Sequence, residues 1–157
     1  MKRIDWIKVG TIVFLAVYLG FVCMKDRTRE VPIDTIKSNM EKDKTVAELK
    51  QEDEIQLRRF YGLEGESLEG VLFYKAESPM AVDELLIVRA RDKKQAADVQ
   101  ESAEKHLEEQ KKSFEGYGAA QTALLSEAYV ENKGKYVIYA AGENAGNWRE
   151  KFWNLVK

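Results

Sequence analysis

The chain has 157 residues, 45% hydrophobic and 33% charged, with 25 Lys+Arg against 27 Asp+Glu, a composition suited to one compact domain and unlike that of a disordered or fibrous chain. Ten Gly and two Pro exclude collagen-like and linker-like sequences, and a single Cys excludes a disulfide scaffold or a cysteine-built zinc or iron–sulfur centre. Charge is uneven: residues 1–30 carry six Lys/Arg and three Asp/Glu, and the remainder carries 19 and 24. That acidic excess would be repelled by phosphate backbones, so nucleic acid is not an expected partner.

Val9 to Met24 is a run of sixteen residues without a charge, preceded by Lys2, Arg3 and Lys8, with Ile4, Trp6 and Ile7 extending its apolar character. The pattern predicts one N-terminal transmembrane helix with basic flanks over residues 1–30, touching the lipid bilayer through residues 4–24. A cleaved signal peptide, a lipoprotein signal and an uncleaved signal anchor all begin this way. No Ala-x-Ala-like site follows the run, and Val22 precedes Cys23 where a lipobox carries Gly, Ala or Ser, so the uncleaved anchor is the favoured reading. Cys23 is then a thiol in a lipid-facing helix. Three basic residues stand on each side of the run, and the N-terminal amine adds a charge in front. The expectation is a single-pass protein of the cell membrane with its C-terminal domain outside the cytoplasm.

Residues 31–62 read as short connecting helices. Ile33, Ile36 and Met40 form one apolar face with Asp34 as cap, Thr45 to Glu48 matches a capping box, and Asp53 to Gln56 matches another that leads to Leu57 and Phe60 and ends at Gly62. Residues 63–157 read as the globular domain. Val71 to Tyr74 and Leu85 to Val88 are its first strands. Ala96, Val99, Ala103, Leu107 and Phe114 define a long amphipathic helix from Asp92 to about Tyr117. Ala128 to Val130 and Tyr136 to Tyr139 make a hairpin turning at Gly134, and Asn144 caps a last helix carrying Trp148, Phe152, Leu155 and Val156 on one face. The fold class expected after the membrane helix is α+β, a ββαββα-like domain with a mainly antiparallel four-stranded sheet and helices on one face.

Chemical machinery is sparse. The one imidazole, His106, sits among Glu104, Lys105, Glu108 and Glu109, which reads as the polar flank of a helix, and Glu109 is its sole local companion for a metal. No catalytic constellation, metal site or cofactor site is expected. Asp83 and Glu84, which open the second strand, are the candidate functional carboxylates; loop solvation and edge protection are the plainer account of them. Gly142 to Gly146 lacks the lysine and the spacing of a phosphate loop. Tyr74, Tyr129, Tyr136 and Tyr139 could share a sheet face and, with Trp153, form a partner-binding surface. Trp153 lies about 140° around its helix from Trp148 and is the best candidate for an exposed aromatic.

Phe60-Tyr61-Gly62-Leu63, Asp83-Glu84-Leu85-Leu86-Ile87-Val88-Arg89 and Lys133-Gly134-Lys135-Tyr136-Val137, spaced by a long acidic and basic helix, resemble an uncharacterised domain-of-unknown-function family. Its members are membrane-anchored proteins and lipoproteins of Gram-positive (Firmicute) bacteria. The resemblance covers about residues 33–157 and implies no catalytic residues. The expected function is a membrane-tethered extracytoplasmic module that binds a protein or a cell-envelope component. An envelope hydrolase or transferase using Glu84 or another strand-end carboxylate is the alternative, and a cytoplasmic-facing small subunit of a membrane complex is a third.

Overall fold

The structure, a computed structural model, describes residues 10–19 and 28–157. Residues 10–19 are helical (α1). The chain continues through α2 (Ile33–Met40), α3 (Lys44–Ala47), β1 (Lys50–Gln51), α4 (Glu54–Tyr61), a 3-10 turn (Gly65–Ser67), β2 (Gly70–Lys75) and β3 (Glu84–Arg89). It ends with α5 (Lys93–Phe114), α6 (Ala119–Ser126), β4 (Tyr129–Lys133), β5 (Tyr136–Ala141) and α7 (Ala145–Val156).

The five strands form one sheet in the order β1-β2-β3-β5-β4, antiparallel throughout. Register aligns Leu72, Ile87 and Ile138 in one row across β2, β3 and β5, and Phe73, Leu86 and Tyr139 in the next. Because side chains alternate across a strand, the first row faces one side of the sheet and the second faces the other. Both sides are covered. Ile36, Met40 and Val46 of α2 and α3, with Trp148, Phe152 and Val156 of α7, close over the Leu72 row. Leu57 and Tyr61 of α4, Val99, Ala103 and Leu107 of α5 and Leu125 of α6 close over the Phe73 row.

The domain is therefore a three-layer α/β/α sandwich, which corrects two expectations: the sheet has five strands, not four, and helices cover both faces. The physical reason lies in β3 and β5, whose central residues are apolar in both phases and buried throughout, as strands buried on both faces must be.

The helix caps differ in detail. Pro32, not Asp34, precedes α2 and makes no side-chain cap. Asp43, not Thr45, caps α3 by accepting from the Thr45 N–H. Asp53 caps α4 through the Gln56 N–H, as its capping box predicts. Asn144 holds the cap position of α7 without a side-chain bond.

The expected transmembrane helix is also corrected. Among the described residues no helix is long and apolar enough to cross a membrane. The signal-anchor and single-pass assignments are therefore not sustained. Cys23, Trp6 and the flanking basic residues other than Arg29 lie outside the described residues.

Where the chain enters the domain it is tied to the α7 layer. The Arg29 N–H donates to the Val156 carbonyl at 2.8 Å. The Val31 N–H donates to the Tyr136 hydroxyl at 2.7 Å, and that hydroxyl donates to the Val31 carbonyl at 2.9 Å.

Candidate functional site

Glu84 opens β3 in the same phase as Leu86 and Val88, so its carboxylate points into the layer formed by α4 and α5. It is 1% exposed and His106 is 4% exposed, and tyrosines aside these are the two buried polar side chains among the described residues. Stripping a carboxylate of water is costly unless hydrogen bonds replace the lost hydration. Three donors do so here. Tyr61 donates its hydroxyl proton to Oε1, His106 Nε2 lies 3.0 Å from the same oxygen, and Gln110 Nε2 donates to Oε2 at 2.8 Å. The Gln110 Oε1 in turn accepts from the Tyr139 hydroxyl at 2.5 Å.

Local structure explains why these groups meet. His106 and Gln110 are one turn apart on α5, three and seven residues beyond Ala103, so both fall on its buried stripe. Tyr61 is the last residue of α4, and Gly62 follows in the left-handed conformation (φ 66°) that terminates the helix there. The Tyr61 and His106 rings lie 4.5 Å apart, with Phe60, Phe73 and Tyr139 around them. Burial, and then the Glu84 charge, hold the phenols of Tyr61 and Tyr139 well above their ordinary range. Both therefore keep their protons and act as donors.

This network borders an open groove of about 420 Å³, lined by Arg58, Arg59 and Tyr61 from α4 and by Ser102, Lys105, His106 and Glu109 from α5. His106 thus belongs both to the enclosed network and to the groove wall. Glu84 does not line the groove, and both of its oxygens are engaged. Among the described residues no group of three or more His, Cys, Asp or Glu side chains is placed to hold a metal.

The structure disperses the other candidates. Asp83 is half-buried beside Gly142, and its carbonyl accepts from the Ala76 N–H. Tyr74, Tyr136 and Trp153 are buried on the α7 face, Tyr129 is partly buried there, and Tyr139 lies on the opposite face. The tyrosines therefore do not share one exposed surface. Trp153, expected to be exposed, is 3% exposed: its indole N–H donates to Glu131 at 2.6 Å and the Lys133 ammonium sits 4.7 Å above its ring. The cause is the edge strand β4, which packs beside α7 and covers that flank.

His106, assigned from sequence to a solvated flank, is a second correction. Its charged neighbours occupy the other sides of α5, while its own phase places it three residues after Ala103 and one before Leu107, on the apolar stripe. That phase was the available signal for His106 and Gln110. Nothing local marked Tyr61 as the partner of Glu84.

Fold and site together define an α/β/α domain whose core encloses a carboxylate, an imidazole and two phenols beside a groove lined by Arg58, Arg59 and Lys105. A family model described as a domain of unknown function, DUF4358, matches residues 40–142, and the chain belongs to that family. The matched region spans all five strands and includes Tyr61, Glu84, His106, Gln110 and Tyr139. No curated protein and no solved structure matches the chain.

Proposed function

We propose that the protein is a lipid-associated binding module rather than an enzyme. The observation that carries this reading is α1. Ile12, Val13, Phe14, Leu15, Val17, Tyr18 and Leu19 are each 55–71% exposed, and at 100° per residue they surround the helix on every side. A helix apolar all round has no polar face to turn to water, and a protein groove would cover only one of its sides. Insertion of α1 into the apolar region of a lipid leaflet takes those side chains out of water, and the Lys and Arg residues that flank it in sequence suit anionic headgroups.

The folded domain supports the binding half of the reading. Glu84, the strand-end carboxylate a hydrolase or transferase would use, is closed off and saturated by Tyr61, His106 and Gln110. A general acid or base must reach its substrate proton within hydrogen-bond distance.

Flotation of the full chain with vesicles containing phosphatidylglycerol tests the lipid association. The wild-type chain is expected to float with the vesicles, and a Phe14→Lys, Val17→Lys double variant is expected to lose most of that association while keeping the circular dichroism of the domain. A wild-type chain that stays at the bottom of the gradient, or a variant that floats equally well, overturns the reading.

A further inference from the structure

We propose that the groove between α4 and α5 is a binding site for a small soluble phosphate monoester, held by Arg58, Arg59 and Lys105 against the edge of His106. The proposal rests on reading the domain as a binding module and supplies its ligand class.

Three cations from two helices line one groove, whose volume of about 420 Å³ falls within the range of small-molecule sites. These cations are only loosely engaged. Arg58 stands 3.8 Å from both Glu54 and Glu64, and Lys105 stands 4.0 Å from Glu109, the carboxylate that lines the groove. Arg59 is exposed, lies over the Phe60 ring at 5.6 Å and forms no ion pair among the described residues. By contrast, Arg149 on the other side of the sheet clasps Glu131 at 2.7 Å. The C-terminal dipole of α4 accounts for cations in that helix's last turn. It does not account for Lys105, which is in the middle of α5.

His106 narrows the ligand class. Its Nε2 faces the Glu84 carboxylate, an acceptor, so Nε2 carries the hydrogen, and in that tautomer Nδ1 is the acceptor of the ring. A phosphate monoester has a second pKa of about 6, so near neutrality its protonated monoanion is a minor form in ready exchange with the dianion. Its P–OH can donate to Nδ1 while its charged oxygens take the guanidinium and ammonium donors and the Ser102 hydroxyl. Sulfate and simple carboxylates are fully ionised there and carry no such proton.

Placement separates a soluble ligand from a lipid headgroup. The chain enters the domain on the α7 layer, through Arg29 and Val31, whereas the groove belongs to the α4 and α5 layer on the opposite side of the sheet.

The chain contains one histidine, so its imidazole resonances report on this site without assignment ambiguity. Full-length protein in a maltoside detergent, labelled at histidine, is titrated with inorganic phosphate at constant ionic strength. The expected result is a saturating His106 shift that Arg59→Gln and Lys105→Gln each weaken by about tenfold or more, while Lys94→Gln, on an exposed part of α5 outside the groove, leaves it unchanged. Thermal melting of each variant checks that it is folded. The proposal is overturned by the absence of a shift, by an equal shift with sulfate or citrate, by undiminished affinity in folded Arg59→Gln, or by a response to phosphatidic acid vesicles alone.

Discussion

The Tyr61 hydroxyl at the end of α4 donates to Glu84 Oε1 at the start of β3, joining two residues 23 positions apart inside the core. Each exists in its present state because of the other. The carboxylate is tolerated in the core because donors surround it, and the phenol keeps its proton because burial and the neighbouring negative charge disfavour a phenolate.

Tyr61→Phe keeps the ring against His106 and Phe73 but removes one of the three donors to Glu84. Leaving part of a buried carboxylate unsatisfied is expected to cost about 1–3 kcal/mol. Urea unfolding of the domain measures it, and a change within error of zero would mean that water replaces the phenol. Glu84→Ala is expected to cost more than Tyr61→Phe, because it orphans the donors on Tyr61, His106 and Gln110 together.

Glu131 provides a pH-dependent contribution on the opposite face. Burial raises its pKa, but hydrogen bonds from Arg149 and Trp153 and the charges of Arg149 and Lys133 outweigh burial and leave it below the ordinary 4.5. A carboxylate whose folded pKa lies below its unfolded value contributes stability above the unfolded value and loses it as pH falls through the folded one. The stability difference between wild type and Glu131→Gln should therefore be present at pH 6 and shrink steadily below about 4.5. Denaturant melts at a series of acid pH values measure this, and a difference that does not vary with pH would remove Glu131 from the account.

Two glycines should differ sharply when replaced by alanine. At Gly142 (φ 108°) an added Cβ would sit 2.3 Å from Asp83 Oδ1 and 2.9 Å from Asp83 Cα, whereas at Gly62 (φ 66°) it would meet nothing within 4 Å. Gly62→Ala therefore carries only the backbone penalty of a left-handed alanine, about 1 kcal/mol. Gly142→Ala adds displacement of the β3 entrance and is expected to cost at least about 2 kcal/mol. Thermal melts that place Gly62→Ala below Gly142→Ala would contradict this ordering.

Elements with a strong period were legible in the sequence. The stripe through Ala96, Val99, Ala103 and Leu107 marks α5, the apolar runs mark β2, β3 and β5, and Gly134 marks the hairpin turn. Elements defined by their surroundings were not. β1 is two residues long and exists through its pairing with β2, so no periodicity could mark it. α6 buries Leu125 alone, too little to make an apolar stripe, so the sequence pattern ends the long helix at about Tyr117 and marks no helix before the hairpin. The burial of Trp153 depends on β4 lying beside α7, and the pairing of Tyr61 with Glu84 depends on how α4 packs on the sheet.

Local physical chemistry along the chain, its hydrophobic period, caps and turn glycines, determined by itself the long helices and the central strands, because those preferences act over a few residues. Tertiary structure decided the rest: that both sheet faces are covered, that Glu84 is enclosed by Tyr61, His106 and Gln110, and that Arg58, Arg59 and Lys105 share a groove. These are relations between segments 20 to 50 residues apart, and they come into being only when burial of the two apolar faces of the sheet draws those segments together.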